Sequence, residues 1–279
     1  MSLVSLRELF EMIPKKIVLG FFLIVVGVVR GAEPLKETPL LPSGWHVHDE
    51  ARPQPEIVIP GKWVGEAPSD AITLFDGQDL DLWAGIKQGD REKPRYNPEG
   101  LPLWKVENGY VECTPTGDIL TRMNFGDCQL HVEWRVDPSR EKKGQGQGNS
   151  GVFFMGKYEV QILDSYENPT YADGSAGAVY GQTPPLVNAL HQSEKWQTYD
   201  IVFQAPRFEG NVLISPAYVT VFVNGVLAQY QTEILGPTVW RARADYKVHP
   251  DKLPLRLQDH NNRNRFRNIW IRELHLGRE

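Results

Sequence analysis

Glu159, Gln161 and Asp164 interrupt an otherwise apolar stretch, Tyr158-Glu159-Val160-Gln161-Ile162-Leu163-Asp164. A carboxyl group in an apolar strand can give or take a proton, and an amide beside it can hold a hydroxyl, so the pattern suits acid–base work on a polyhydroxylated ligand. In a regular strand Glu159 and Gln161 share one face and Asp164 lies on the other; a β-bulge would bring all three together. Just upstream, Gly148-Asn149-Ser150-Gly151-Val152-Phe153-Phe154 is a glycine-rich turn feeding an apolar strand, and it adds the amide of Asn149. The competing reading is a polar face turned to solvent.

Two further groups could take part. His131, Glu133 and Arg135 fall on one face of a single strand, where a carboxylate flanked by a histidine and an arginine can be held ionised or tuned; a cross-strand ion-pair ladder is the alternative. Gln258-Asp259-His260-Asn261-Asn262 places a histidine in a polar loop beside a strand, where general acid–base groups are commonly found, and Arg267 follows on the next strand. Trp83, Trp104, Trp196 and Tyr166 offer planes for sugar rings, although most tryptophans of a sandwich are core and Trp134, Trp196 and Trp270 read as such. Spacing defines no compelling ligand set for a divalent metal, although Glu133, Glu159, Asp164 or His260 could supply ligands.

These residues need strands to position them. After Ser69 the chain runs in short segments rich in Val, Ile, Phe, Trp and Tyr, punctuated by Asp76-Gly77, Asn108-Gly109 and Asn224-Gly225. Asn-Gly between apolar runs predicts hairpins joining 103–107 to 110–114 and 218–223 to 226–231. Leu130, Val132, Trp134 and Val136 alternate with His131, Glu133, Arg135 and Asp137, as in a half-buried strand. The run 266–274 is apolar on both faces. Many short strands without intervening helices predict an all-β sandwich or jelly roll of two antiparallel sheets.

The rest of the chain sets outer limits. Lys15-Lys16, the apolar run 17–29 and the small residues after Arg30 read as a secretory signal over 1–32, too short for a comfortable span, with an uncleaved N-terminal anchor as the alternative; the signal points to a secreted or periplasmic protein with no stable membrane span after processing. Residues 33–68 are proline-rich and read as a linker, leaving 69–279 as one domain. A net charge of -5, with lysine and arginine dispersed, argues against nucleic acid as a partner. Cys113 and Cys128 are the two cysteines; they flank neighbouring strands, and an oxidising compartment could pair them.

The strand around Glu159 resembles that of laminarinase-like jelly rolls, where carboxylates spaced E-x-D-x-x-E serve as nucleophile and acid. Here Gln161 replaces the middle carboxylate and the last acid is the shorter Asp164, which alters the gap of roughly 5–5.5 Å that a retaining mechanism needs. A wider likeness rests on five motifs in order: Leu74-Phe75-Asp76-Gly77-Gln78-Asp79-Leu80-Asp81-Leu82-Trp83, Gly148-Asn149-Ser150-Gly151-Val152-Phe153, Tyr158-Glu159-Val160-Gln161-Ile162-Leu163-Asp164, Trp196-Gln197-Thr198-Tyr199-Asp200 and Phe266-Arg267-Asn268-Ile269-Trp270-Ile271-Arg272. Over about 71–276 the chain resembles the bacterial 3-keto-disaccharide hydrolase family, also described as 3-keto-glucoside 1,2-lyase/hydratase.

That resemblance implies a concanavalin-like jelly roll acting on an oligosaccharide or glycoside already oxidised at C3. The ketone acidifies the C2 proton, a base removes it, an acid protonates the departing oxygen, and water added to the resulting glucal completes a net hydrolysis without a carboxylate nucleophile. On this reading Glu159 and His260 form the acid–base pair, with Glu133 a further ionisable candidate. Arg267 or Arg135 would polarise the ketone, and Asn149, Gln161, Asp164 and Gln258 would hold hydroxyls, with Tyr166 and Trp83 as stacking planes. A non-catalytic carbohydrate-binding module and a conventional retaining glycosidase are the competing expectations.

Overall fold

The computed structural model describes residues 38–86, 100–137 and 143–276. The expected signal segment lies outside them. Contacts divide the chain into two units, 1–56 and 57–279. In the first, an isolated bridge joins Leu40 and His46.

Among the described residues the second unit has fifteen strands: β1 (Ile72–Phe75), β2 (Trp83–Gly85), β3 (Lys105–Glu107), β4 (Tyr110–Glu112), β5 (Ile119–Phe125), β6 (Cys128–Arg135), β7 (Ser150–Phe154), β8 (Tyr158–Ile162), β9 (Gln197–Gln204), β10 (Arg207–Glu209), β11 (Val212–Ser215), β12 (Ala217–Val223), β13 (Val226–Ile234), β14 (Leu253–Leu257) and β15 (Arg265–Glu273). One sheet runs β13-β12-β9-β6-β15-β4-β3, with β1 also on β15; a second runs β2-β5-β14-β7-β8; β10 and β11 form a small hairpin. All pairings are antiparallel. This is the expected all-β jelly-roll sandwich.

Both Asn-Gly hairpins form. Asn108 and Gly109 take φ of 49° and 75°, Asn224 and Gly225 take 50° and 77°, the left-handed pairs a two-residue turn between twisted strands requires. Alternation then decides what faces inward. Leu130, Val132 and Trp134 of β6 and Tyr158, Val160 and Ile162 of β8 enter one shared core, so their odd-numbered neighbours on β6 and β8 point out of opposite sides of the sandwich. Cys113 and Cys128 are buried free thiols, and no disulfide joins them.

Part of the expected linker is ordered. Ser69 N donates to Ile59 O, and Gly65 O accepts from Trp270 Nε1 and Asn268 Nδ2, both at 2.8 Å, so residues 59–69 lie on the outer face of the larger sheet. Gly65 has φ of +93° and sits where a Cβ would press on the His131 ring.

Candidate active site

The outer face of the five-stranded sheet is arranged in cross-strand rows. Arg256 on β14 stands opposite Phe153 on β7, and Phe153 opposite Glu159 on β8. In the next row Gly151 stands opposite Gln161, and Gln258 N, just past β14, donates to Gly151 O at 3.1 Å. The rows form the floor of a cavity of about 520 Å³ whose rim includes Asn149, Asp118, His260, Tyr180 and Trp240.

Glycine in the middle row is a packing requirement. A Cβ at Gly151 would run into the Glu159 carboxylate and the Phe153 ring. Gly151→Ala is therefore expected to displace the Glu159 head group, lowering kcat by about 10²-fold while the far-ultraviolet circular dichroism spectrum is retained.

Glu159 is 4 % exposed. Burial pushes its pKa up to about 8, Arg256 opposing the rise and Asp118 adding to it, so the side chain is a neutral acid near pH 7. The Gln161 amide, turned with its nitrogen toward Glu159, donates to Glu159 Oε1 at 3.0 Å and to Ser150 O at 3.2 Å. The Arg256 guanidinium pairs with Asp118 at 3.0 Å and lies 3.7 Å from the centre of the Phe153 ring. It supplies fixed positive charge in the same cavity as the neutral acid.

The loop carrying His260 is pinned on both sides. Asp259, wholly buried, donates from its backbone to Asp118 Oδ1 and accepts from Gly117 N and Asn261 N, while Asn262 Nδ2 donates to His260 O. Beside it, Gln258 Oε1 is buried with no hydrogen-bond partner, an acceptor suited to a ligand hydroxyl at a cavity wall. Two loops cover the open edge of β8: Tyr180 N donates to Glu159 O, Gln161 N to Ala178 O, and Glu159 N to Thr238 Oγ1. Trp240 follows on the second loop and is 70 % exposed at the cavity mouth.

Glu159, His260, Gln161, Asn149 and Gln258 thus meet around one cavity. The other expected participants lie elsewhere. β8 ends at Ile162, so Asp164 lies past the strand and outside the cavity lining, where it accepts from Gln147 Nε2 and Tyr166 N and fastens the 145–149 loop. Tyr166 is half-buried and outside that cavity. Trp83 is fully buried with its indole donating to Leu74 O, and Trp104 stacks on Phe266; both are core.

Glu133, Arg135 and Arg267 belong to the outer face of the larger sheet, across the sandwich from the cavity. Glu133 Oε2 accepts from Arg267 Nε at 2.6 Å and Glu133 Oε1 from Asn268 Nδ2 at 2.9 Å. His131 packs flat on Trp270 and bonds Asp200 through Nδ1 at 2.7 Å. Arg135 and Arg267 both lie over Trp196, 4.9 and 4.2 Å from its centre, so Trp196 is a half-exposed partner of two guanidiniums and not core. The expectation that Arg267 or Arg135 polarises a ketone beside Glu159 is corrected by this placement, because alternation on β6 and β15 turns them away.

Comparison with known proteins decides the affiliation. Residues 70–272 match the model of the 3-keto-α-glucoside-1,2-lyase-like domain. The chain belongs to that family. A crystal structure of a candidate glycosyl hydrolase from Parabacteroides distasonis is similar to this chain at 40 % identity and a TM-score of 0.74, over 85 % of this chain and 100 % of the other. A second candidate glycosyl hydrolase from the same organism, at 20 % identity and a TM-score of 0.50 over 74 % of this chain and 94 % of the other, shares the fold. No curated protein matches. By family, then, the chain is a carbohydrate-active enzyme.

Sequence reading missed Arg256, Asp118 and Trp240. The alternation Leu253, Leu255, Leu257 did put Arg256 on a polar face, but which strand lay beside it was invisible without the register of β14 on β7. Among the described residues no three His, Cys, Asp or Glu side chains converge as a metal site, and no helix is long and apolar enough to cross a membrane.

Proposed function

We propose that the cavity cleaves 3-keto-glycosides by elimination, followed by hydration of the product. The observation that carries this reading is the meeting, in one cavity, of a carboxyl group held neutral near pH 7, a histidine and an arginine. With the oxidised ring over Gly151, the His260 imidazole takes the C2 proton. The electron pair from that C–H bond forms the C1–C2 double bond, the C1–O bond breaks, and the departing oxygen receives the Glu159 proton. Charge gathers on the C3 oxygen as this happens. Arg256 replaces Arg267 and Arg135 in the role of stabilising it, being fixed in advance by Asp118 and Phe153.

Hydration reverses the proton traffic. Ionised Glu159 takes a proton from water as its oxygen adds to C1, and protonated His260 returns a proton to C2, restoring both groups. Gln161, Asn149 and the unpartnered Gln258 Oε1 hold hydroxyls, and Trp240 offers a plane at the mouth.

The test is to give purified protein the C3-oxidised and unoxidised forms of one disaccharide. Turnover is expected of the oxidised form alone, with exchange of the C2 hydrogen with solvent and a rate that falls as pH rises through about 8, where Glu159 loses its proton. Turnover of the unoxidised form with a trapped glycosyl ester would identify a retaining glycosidase instead. Binding of both forms without turnover would identify a carbohydrate-binding module.

A further inference from the structure

A second cavity, of about 600 Å³, opens next to the first and shares Tyr180, Val239 and Trp240 with it. A ligand with its reacting ring over Gly151 and its leaving group toward Trp240 would enter this neighbour. The wall has two kinds of surface. Tyr171, 48 % exposed, and Trp240 offer aromatic planes, and the Tyr171 hydroxyl is tied to that of Tyr180 at 2.8 Å. Beyond them stand Arg241 and Arg243, with Asp173 the acidic side chain of the lining.

The two arginines are unusual in their setting. The chain carries a net charge of -5, yet neither Arg241 nor Arg243 makes an ion pair among the described residues. Arg241 adopts φ of 52°, a left-handed conformation uncommon for a non-glycine residue, and its guanidinium lies 4.9 Å from the Trp240 ring centre. A neutral sugar would need only the aromatic planes and hydroxyl partners. Two uncompensated guanidiniums beside a stacking plane fit a planar carboxylate or a sulfate or phosphate oxyanion, which arginine binds through paired N–H donors.

We infer that this second cavity is the leaving-group subsite and selects glycosides whose leaving unit carries an anionic group, held by Arg241 and Arg243 while its ring stacks on Trp240. The inference rests on the proposed elimination for the direction in which the substrate lies.

The test uses three C3-oxidised disaccharides that share the oxidised glucosyl half and differ in the leaving unit: glucose, glucuronate and glucose 6-sulfate. In the wild type kcat/KM is expected to be about tenfold higher for the anionic units than for glucose, and the ratio is expected to approach one at high salt and in an Arg241→Gln/Arg243→Gln variant, as exposed charge recognition requires. A preference for glucuronate alone identifies a carboxylate, and one for the sulfate ester alone a tetrahedral oxyanion. Equal kcat/KM for all three in the wild type, or a preference that survives in the double variant, overturns the subsite while leaving the elimination intact.

A tryptophan-fluorescence titration with the unoxidised glucose and glucuronate disaccharides separates the two ideas. Arginine-dependent tighter binding of the glucuronate form without turnover of any oxidised substrate would sustain the anionic subsite and overturn the elimination. Equal binding of both unoxidised forms without such turnover would overturn both.

Discussion

Glu159→Gln is expected to lower kcat on a 3-keto-glucoside by about 10²–10⁴-fold, the usual worth of a positioned general acid, with the fold intact. Glutamine preserves size and can still bond Gln161, but it has no proton to give the leaving oxygen. The same substitution has a signature in stability that a purely catalytic role would lack. Burial raises the Glu159 pKa from 4.5 to about 8, so its contribution to stability is fully present below 4.5 and is lost as pH rises through about 8, because the unfolded chain ionises first. The glutamine variant has no such titration. Its melting temperature is therefore expected to exceed that of the wild type by several degrees at pH 8 and to converge with it near pH 4, measured by calorimetry across that range. A variant with wild-type kcat would remove Glu159 from the chemistry, and parallel melting profiles would mean that the carboxyl is already ionised in the folded protein.

Glu133→Gln is expected to do the reverse, sparing the acid–base step and weakening the fold. Glu133 is 7 % exposed and accepts from both Arg267 and Asn268, and Asn268 in turn donates to Gly65 O, so the carboxylate organises the segment that crosses the larger sheet. Breaking a fully buried pair costs about 3–5 kcal/mol, but the Arg267 side chain is 43 % exposed, so solvent takes up part of the loss and about 2 kcal/mol is expected.

The pH dependence of that loss follows from two opposed shifts. Burial alone would raise the pKa of Glu133, yet the His131 ring 3.7 Å from its Oε1 and the hydrogen bonds from Asn268 and Arg267 bring it down to about 2; its contribution is present above 4.5 and lost as pH falls toward 2. Burial alone would lower His131, yet Asp200 and Glu133 raise it to about 9; that contribution is complete below 6.5 and lost as pH rises through about 9. The gap in melting temperature between wild type and variant should thus be widest between about pH 5 and 6.5 and should narrow on both sides. A gap independent of pH would mean that the ionised carboxylate is not what holds the segment, and a large fall in kcat at full stability would return Glu133 to the active site.

These two residues show how far local patterning reaches. Both are carboxylates at alternating positions of strands that bury apolar neighbours, Val132 and Trp134 around one, Tyr158 and Val160 around the other. Nothing in either segment tells them apart. One lies under a glycine-floored cavity and is held neutral, while the other lies under a covering segment and is held ionised, because the sheets stack with these two faces outward on opposite sides.

Local patterning was enough for both Asn-Gly hairpins, the alternating strand from Leu130, the Glu159 and 266–274 strands and the family motifs, since alternation and turn conformation depend on residues within a few positions of each other. It also placed Glu159 beside Gln161, and His260 in a polar loop. That Glu159, His260 and Arg256 share a cavity, and that Glu133 and Arg267 stay out of it, follows from long-range packing. That choice depends on which strand lies beside which, on the register of β7 against β8 and β14, and on the 238–243 loop reaching the edge of β8, contacts between residues up to about a hundred positions apart. Such contacts are set by packing of the whole sandwich, and no local pattern encodes them.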